Sequence, residues 1–440
     1  MSKSPENGDA SVEDTLTITD NRSGLSYEVP VADDAIRPAD LRRAEAASGA
    51  RSLLSYDPAL TNTAACRSAI TFVDGERGVL QHRGYPIEEL VERSTYLEVA
   101  YLLVHGELPT EEQFADWKHE ITIHRFVHEN VTQFLEGFRF DAPPMGMLLS
   151  TVGALSTFFF DAVDLDDPAS RHMQTIRLIA KMPTLAAFAY RHSSGLPYVY
   201  PDDKLSYPGN FLAMVHRMTE ASYEPDPRLE RALDTMLILH ADHEQSSSTN
   251  AVRSVGSSGV DPYSAVTAGI AALFGASNGA ASQAAIRMLE RLEAPDRIPG
   301  FLDEVRARSE RLPGFGHREY KSYDPRARII KSIAEDLYEA TGRRDPLFDL
   351  ALELEDRALE DEFFIERRLF PNIDFYSGLV YRGLGLPERM FPVMFAIART
   401  SGWIAQWLEQ VEDPEQKIVR PRQIYTGPRD RTYAPISQRH

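Results

Sequence analysis

The chain has little cysteine, a deficit of positive charge and no long lipid-like apolar run. Its single cysteine, Cys66, can form neither an internal disulfide nor a thiolate cluster for zinc or iron–sulfur, which is typical of a reducing compartment. Lysine and arginine total 47 against 66 aspartates and glutamates, so the formal charge is −19. Nucleic acids and anionic membranes attract basic faces, and we therefore expect neither as a general partner.

No segment predicts a membrane span or an exported protein. The uncharged stretches 142–160 and 262–286 contain prolines or many small and polar residues, so we expect them to pack against protein rather than lipid. Residues 1–14 are acidic and polar, without a signal region or an arginine-rich transit character. The sequence therefore predicts a cytoplasmic protein.

Hydrophobic periodicity predicts a mainly α fold with a small β portion at the N-terminus. Residues 15–31 and 72–82 alternate around turn sequences and predict two hairpins. From Pro86 onward, apolar residues recur at helical spacing, in segments that include 110–138 and 262–290.

The length of the chain predicts its domain organisation, and its loops indicate where a functional site lies. A chain of 440 residues exceeds what one core usually serves, so two domains or one large lobed domain are expected. Polar residues crowd into 241–261 and 311–325, which we interpret as loops beside apolar helices. Long loops of this kind tend to carry functional residues.

Asp374 is the only charged residue in the stretch 369–381. Burial in such surroundings raises the pKa of a carboxyl towards the range of a general base. The alternative is a carboxylate that caps a helix beginning at Phe375, because aspartate is a favoured N-cap. The local sequence by itself favours the cap.

Arg399 is the only charge in the stretch 391–404. A guanidinium keeps its proton, so a buried Arg399 needs an anion, either an internal carboxylate, which is the more common case, or a substrate carboxylate. Arg420, near the C-terminus, is typical of a solvated surface charge when judged by its local sequence.

Several histidines raise the question of a metal site. His240 and His243 lie three residues apart, which predicts one helix face, and Asp242 and Glu244 are neighbours. Because no third ligand follows at a recognisable spacing, we predict no metal and favour hydrogen-bonding roles. His317 follows Gly-Phe-Gly, which allows close approach of a ligand but is not a dinucleotide fingerprint.

Six stretches in order resemble the citrate synthase family, and specifically its larger, hexameric bacterial form. They include His-Ala-Asp-His-Glu-Gln, Gly-Phe-Gly-His, Pro-Asn-Ile-Asp-Phe-Tyr-Ser-Gly and Arg-Pro-Arg-Gln-Ile-Tyr-Thr-Gly. The stretches lie at 72–87, 181–184, 240–245, 314–326, 371–378 and 420–427.

The resemblance implies a two-domain helical enzyme that condenses acetyl-CoA with oxaloacetate. Its implied parts are an N-terminal tail and hairpin extension (1–50), a large helical domain (51–279), a small helical domain (280–385), and a large-domain continuation with a C-terminal arm (386–440). It implies a homodimer, and similar bacterial enzymes assemble further into hexamers.

The resemblance also implies the substrate contacts. The 2-oxo dicarboxylate would be held by His243, His317, Arg326 and Arg399, with Arg420 reaching into the neighbouring subunit's pocket. No cofactor is bound permanently, and a coenzyme A thioester is the co-substrate. The basic residues near the loop that meets the CoA nucleotide could serve its phosphates, and a solvated surface role has equal support; they are Arg318, Lys321 and Arg328.

The implied chemistry has one departure. By the resemblance Asp374 abstracts the methyl proton of the thioester and His317 donates to the carbonyl oxygen, which reverses the local preference for a cap. Asn278 stands where the family has a histidine that donates to the enolising thioester oxygen, and Glu319 replaces an apolar residue. We therefore expect Asn278 to be a weakened donor and citrate synthesis to be slow or altered.

Three functions remain open from the sequence. The first is a citrate-synthase-like condensation, with acetyl-CoA or a related acyl donor and oxaloacetate or a similar 2-oxo acid. The second is a different reaction of a bound 2-oxo dicarboxylate with Asp374 as the base. The third is a non-catalytic homologue that binds the dicarboxylate. Retention of Asp374, His317 and the arginines favours the first.

Overall fold

A computed structural model describes residues 14–42, 53–275 and 279–439. Helix accounts for 56% of the structure and strand for 7%, which confirms a mainly α fold with a small N-terminal β portion. The chain divides into a first unit, Met1–Arg67 with Arg420–His440, and a second unit, Ser68–Val419. The domain boundaries expected at 279/280 and 385/386 lie inside the second unit and stay predictions.

The first unit contains the predicted N-terminal hairpin. Strands β1 (Thr15–Asp20) and β2 (Leu25–Ala32) are antiparallel, and β3 (Ala35–Ile36) pairs with the end of β2. The Asp20 carbonyl oxygen accepts hydrogen bonds from the backbone of Ser23 and Gly24, and the φ of +74° at Gly24 suits glycine. The turn residues therefore close the hairpin where the pattern predicted it.

The second unit begins with the other predicted hairpin. Strands β4 (Thr71–Asp74) and β5 (Val79–His82) are antiparallel, and β6 (Tyr85–Pro86) pairs with the end of β5. Thr71 and His82 are cross-strand partners, so their side chains meet on one face of the sheet.

Helices make up most of the second unit. They are α1 (Ile87–Arg93), α2 (Tyr96–His105), α3 (Glu111–Ile123), α4 (Glu129–Glu136), α5 (Pro144–Leu155), α6 (Pro168–Ser193), α7 (Tyr207–His216), α8 (Pro227–His240), α9 (Ser247–Gly256), α10 (Pro262–Phe274), α11 (Ala281–Leu292), α12 (Ile298–Arg306), α13 (Pro325–Thr341), α14 (Pro346–Leu359), α15 (Glu362–Glu366), α16 (Ile373–Gly383) and α17 (Phe391–Glu412). Short 3-10 turns occur at Pro38–Arg42 in the first unit, at Phe160–Val163, Pro295–Arg297 and Glu388–Met390 in the second, and at Ile436–Gln438 in the first.

Two segments with continuous helical periodicity are each divided into two helices. Between α3 and α4, the Lys181 ammonium of α6 donates to the carbonyl oxygens of His124 and Phe126. Between α10 and α11, the Gly279 amide donates to the Leu273 carbonyl oxygen at 3.0 Å, and a Cβ at this glycine would lie 2.2 Å from that oxygen. Hydrophobic periodicity does not record contacts between distant segments or close backbone approaches, so it did not predict these two breaks.

The expected loop at 241–261 contains a helix, α9, so that part of the prediction was wrong. The Ser246 side chain caps the helix by accepting from the Thr249 amide. The buried face of α9 consists of residues such as Ser248, Thr249 and Val252. Because most of these residues are polar, the apolar helical pattern is missing from the sequence.

Helix α17 runs through the core of the second unit. It packs against α2, α6, α8, α9 and α10, and both Trp403 and Trp407 are fully buried. Gly269 of α10 lies so close to this layer that an added Cβ would be 2.7 Å from Val252 and 2.9 Å from the Trp403 ring. Gly269 thus packs inside the chain, and α17 places Arg399 in the interior.

Candidate active site

His240 and His243 do not share a helix face, which corrects the expectation from their spacing. Helix α8 ends at His240, and His243 lies beyond that end. The His240 Nδ1 is 2.8 Å from the Met236 carbonyl oxygen, and the ring packs edge-on against Phe395, so this histidine is part of the core. Within 14–42, 53–275 and 279–439, no group of three His, Cys, Asp or Glu side chains has a metal-binding arrangement.

His243 contributes a buried imidazole to the site. Its ring centroid is 5.4 Å from that of His317, and its Nε2 is 3.2 Å from the Tyr320 hydroxyl. Burial, together with the positive charge of Arg326, holds the pKa of His243 well below its usual value. The ring is therefore neutral at physiological pH and can donate or accept hydrogen bonds.

His317 is held in one tautomer by the backbone. Its Nδ1 accepts hydrogen bonds from the amides of Glu319 at 3.0 Å and Tyr320 at 3.3 Å, so the proton of the neutral ring must be on Nε2. Burial and the charge of Arg326 lower the pKa of His317 to about 4. His317 is consequently a neutral donor through Nε2.

The β4–β5 turn supports the segment that follows His317. The Lys321 amide donates to the Gly75 carbonyl oxygen at 2.8 Å. A Cβ at Gly75 would lie 2.1 Å from the Glu319 carbonyl oxygen, so only glycine fits at this contact. The hairpin therefore fixes the backbone whose amides orient His317.

Arg326 is buried and paired inside the chain. It is 2% exposed, and its Nε and Nη2 donate to the two carboxylate oxygens of Asp324 at 3.0 and 2.8 Å. Its guanidinium also lies 5.6 Å from the centre of the Tyr320 ring. Asp324 thus offsets much of the charge of this arginine.

Asp374 lies in the first turn of α16 and does not cap it, so the prediction of a helix starting at Phe375 was wrong. The N-cap is Asn372, whose side-chain oxygen accepts from the Asp374 amide at 2.9 Å. Asp374 is half-buried, and burial raises its pKa to about 6 although the charge of Arg326 opposes the shift. Such a carboxyl is suited to a general base near neutral pH.

Arg399 is a buried cation without a salt bridge to any described residue. It is 1% exposed, and its Nε donates to the His240 carbonyl oxygen at 2.7 Å and its Nη1 to the Ser246 hydroxyl at 3.2 Å. Burial lowers its pKa to about 10 although the charge of Asp242 opposes the shift. The remaining donors suit an anion.

Arg191 shows how a buried arginine is satisfied when it has only a structural role. It is also 1% exposed, but its Nη1 donates to the carbonyl oxygens of Met214, Val215 and Arg217, and its Nε donates to that of Pro197. Three of these acceptors lie at the end of α7, where the helix dipole is negative. Arg399 has no comparable set among the described residues.

A buried chain of hydrogen bonds that the sequence did not predict, here called the relay, reaches Asp242, the residue before His243. The Thr71 hydroxyl donates to the Asp242 carboxylate at 2.7 Å, so it must accept from the His82 Nδ1 at 3.0 Å. Asp242 and His82 are 0% exposed, and burial lowers the pKa of His82 to about 3. The relay anchors the backbone next to His243 to the β4–β5 hairpin.

The structure brings together five of the predicted residues. His243, His317, Arg326, Asp374 and Arg399 gather within the second unit, as their ring contacts and mutual charge effects show.

The remaining predicted residues belong to the first unit, to the exposed surface of the second unit, or to the part of the chain that the structure does not describe. Arg420 belongs to the first unit and is exposed. Arg318, Lys321 and Arg328 belong to the second unit, and their side chains are exposed. Asn278 lies outside the described residues.

Three residues with contacts in the site were missed by sequence reasoning. Asp324 stands directly before Pro325 at the start of α13, a pattern typical of an N-cap that could have been recognised. Tyr320 and His82 lie in stretches that carry the resemblance, but no local feature distinguishes them. Their importance follows from contacts between distant segments.

Comparisons with known proteins give one consistent result. The family model described as "Citrate synthase, C-terminal domain" matches residues 59–422. The chain is 47% identical over 447 residues to the peroxisomal citrate synthase of Dictyostelium discoideum, covering 99% of this chain and 90% of that protein. It is 45% identical over 436 residues to the glyoxysomal citrate synthase of Cucurbita maxima, covering 97% and 84%.

Solved structures agree. Citrate synthase from Pyrobaculum aerophilum superposes with a TM-score of 0.80 at 37% identity, over 86% of this chain and 94% of that one. Citrate synthase from Thermoplasma acidophilum, solved as a ternary complex with carboxymethyl coenzyme A and oxaloacetate, gives 0.78 at 30% identity, over 86% and 98%.

These likenesses define an enzyme, an acyltransferase that catalyses a citrate-synthase-type condensation. The chain belongs to the citrate synthase family. Among the residues that the structure describes, no helix is both long enough and apolar enough to span a bilayer.

Proposed function

We propose that this protein condenses an acyl-coenzyme A with oxaloacetate or a closely related 2-oxo dicarboxylate. One observation carries the proposal: Asp374 lies close enough to the buried Arg326 for the two charges to interact. Burial nevertheless raises the pKa of the Asp374 carboxyl to about 6. A base poised near neutral pH beside an anion-binding group suits removal of a proton from an acyl donor next to a bound dicarboxylate.

The dicarboxylate would bind to a group of residues that we name the dicarboxylate side: His243, His317, Arg326 and Arg399. Arg326 is already paired with Asp324, whereas Arg399 has no salt bridge to a described residue, so Arg399 supplies the larger uncompensated charge. A second substrate carboxylate needs a further cation, and we assign that role to Arg420 of a neighbouring subunit. The ternary complex of the T. acidophilum relative with oxaloacetate supports this choice of ligand.

Asp374 would start the reaction by taking a proton from the carbon next to the thioester carbonyl. The enolate carbon then attacks the 2-oxo carbon, a carbon–carbon bond forms, and the electron pair of the former carbonyl moves to its oxygen. The neutral His317 donates through Nε2 to that oxygen as its charge develops. Attack of water on the thioester finally releases the coenzyme A thiol.

The acyl donor would be held by an acyl side made of Arg318, Lys321 and Arg328. All three side chains are exposed, and they follow His317 closely in the chain. Basic side chains at this position are suited to the phosphates of coenzyme A, which acts as a co-substrate and not as a resident cofactor. The carboxymethyl coenzyme A bound by the T. acidophilum relative supports a donor of this class.

Asn278 would act as the donor to the thioester oxygen in place of the family's histidine. A carboxamide is a neutral donor, but loss of one well-placed oxyanion donor typically costs about 10²–10³ in kcat. We therefore propose a condensation that is slow with acetyl-CoA or tuned to a relative of it. We further propose a cytoplasmic homodimer that can assemble into a hexamer of the bacterial type.

Release of the coenzyme A thiol tests the proposal. Wild type is assayed with acetyl-CoA and oxaloacetate beside Asp374→Asn, and oxaloacetate affinity is measured by calorimetry for both. We expect turnover to fall by about 10³-fold or more in the variant, because general base catalysis typically contributes 10²–10⁴, while the dissociation constant stays within a few-fold. Equal turnover in the two proteins would remove Asp374 as the base.

A silent wild type would redirect the search for substrates. Propionyl-CoA and longer acyl donors, and 2-oxoglutarate as a larger 2-oxo dicarboxylate, would then be assayed in the same way. Loss of oxaloacetate binding itself, in a folded wild type, would contradict the assignment of the dicarboxylate side.

A further inference from the structure

We infer that Asp324 is a positioning residue that controls the base strength of Asp374 by holding Arg326 and sharing its charge. The inference rests on the proposed function, since it assumes that Asp374 is the base. It assigns a role to a carboxylate that takes no direct part in the proposed proton transfer or bond formation.

Asp324 uses both of its carboxylate oxygens. Oδ1 accepts from the Arg326 Nε and backbone amide, each at 3.0 Å, and Oδ2 accepts from the Arg326 Nη2 at 2.8 Å. Oδ2 also accepts from the Ile373 amide at 3.2 Å. The side chain is 1% exposed, so water screens none of these contacts appreciably.

The bond to Ile373 connects Arg326 to the segment that carries Asp374. Ile373 is the first residue of α16 and directly precedes Asp374 in the chain. Asn372, the N-cap, donates through its side chain to the Gly316 carbonyl oxygen at 2.7 Å, next to His317. Asp324 thus sits where Arg326, Asp374 and the His317 segment are joined.

The charges around Asp374 follow from this arrangement. Burial raises the pKa of Asp374, the charge of Arg326 lowers it, and the charge of Asp324 raises it. The Tyr381 hydroxyl on α16 is also close enough to interact with Asp374, and burial keeps it protonated. His317 is neutral above about pH 4, so Arg326 and Asp324 are the charges that act on Asp374 among the described residues.

Asp324 compensates the Arg326 charge only in part, and this partial compensation affects both ligand binding and the basicity of Asp374. An arginine without a carboxylate partner would bind a dicarboxylate more strongly, but it would also stabilise the ionised form of Asp374 and make it a weaker base. An arginine that is fully neutralised would do neither. Asp324 therefore balances ligand affinity against proton abstraction.

The experiment compares the pH dependence of kcat in wild type, Asp324→Asn and Arg326→Gln, at saturating dicarboxylate. In Asp324→Asn we expect the acid limb to move down by about one pH unit, because Arg326 then acts on Asp374 without compensation. We expect oxaloacetate to bind at least as tightly as in wild type, while kcat falls. Glu355→Gln is the matched control, since Glu355 is 2% exposed and accepts from Tyr323, Tyr376 and Lys331 but not from Arg326.

Arg326→Gln supplies the opposite shift and remains informative if Asp324→Asn does not fold. With Arg326 removed, the charge of Asp324 is unopposed and the acid limb should move up by about one pH unit. A purely structural role for Asp324 predicts lower kcat and weaker binding with the limb in its wild-type place, and that result would overturn the inference. If Asp374→Asn keeps wild-type turnover, the proposed function itself fails; if only the limb stays fixed, the inference alone fails.

Discussion

The dicarboxylate side and the acyl side differ in how much water reaches their charges. Arg326 and Arg399 are 2% and 1% exposed, whereas Arg318, Lys321 and Arg328 are exposed. Surface ion pairs contribute about 0–1 kcal/mol, while hydrogen bonds to buried charges contribute about 1.5–3 kcal/mol each. The dicarboxylate side should therefore decide whether the reaction occurs, and the acyl side how tightly the donor is held.

The largest gain in activity is expected from a change at Asn278. Asn278→His restores the imidazole of the family motif and should raise kcat with acetyl-CoA by about 10²–10³. The measurement is thiol release with oxaloacetate, and Ser277→His serves as the control for a ring one position earlier in the chain. Unchanged kcat would show that the carboxamide is sufficient and that the expectation of slow citrate synthesis is wrong.

Arg399 tests the buried side directly. Arg399→Gln removes the guanidinium that has no salt bridge to a described residue, and the affinity for oxaloacetate should fall by about 100-fold, or roughly 3 kcal/mol. Arg191→Gln is the matched control, because Arg191 is equally buried but donates to backbone carbonyls. It should lower stability and leave calorimetric affinity unchanged. An equal loss of affinity in both variants would contradict the assignment of a binding role to Arg399 and a structural role to Arg191.

The ionisation of Asp374 should have opposite effects on kcat and on folding stability as the pH rises. Its pKa is raised to about 6, so kcat should be level above that pH and fall by about tenfold per unit below it. Stability should move the other way: the folded state binds the proton more readily than the unfolded state, so Asp374 opposes folding as the pH rises from about 4 to 6. Parallel rate and thermal-unfolding profiles of wild type and Asp374→Asn check both signs. An unfolding profile that is the same in both proteins would argue against a raised pKa.

The smallest effects are expected on the acyl side. Lys321→Ala and Arg328→Ala should each raise the KM for acetyl-CoA by about two- to fivefold at low salt, because each removes one exposed charge. The increase should shrink as salt is added, since screening weakens exposed pairs. Arg343, an exposed arginine just after α13, provides Arg343→Ala as a control. A salt-independent increase of tenfold or more would show that these side chains become buried with the donor.

The sequence predicted the overall fold and most members of the site cluster, but not how they are held. Asp374 and Arg399 were identified because each is the only charge in an apolar stretch. The other members of the cluster were predicted from the six ordered motifs. The local choice between base and cap failed at Asp374, because Asn372 two residues earlier is an equally good cap. Two favoured cap residues so close together leave the helix start ambiguous.

The supporting contacts could not be predicted, because they join segments far apart in the chain. Thr71 donates to Asp242, and the Gly75 backbone accepts from Lys321, across separations that no local pattern records. Helix α9 was missed for another reason, since polar side chains fill its buried face. The catalytic roles of the gathered residues stay predictions until the variants are measured.

The lack of a salt bridge between Arg399 and any described carboxylate also bears on how long the protein survives. A buried cation of this kind makes anion binding part of the folding equilibrium, and a ligand at 100 times its dissociation constant stabilises a protein by about 2.7 kcal/mol. Protease digestion would then slow when the dicarboxylate is abundant, and the effect would be much smaller in Arg399→Gln. Substrate supply would thus regulate the amount of enzyme through its lifetime, without any separate regulatory site.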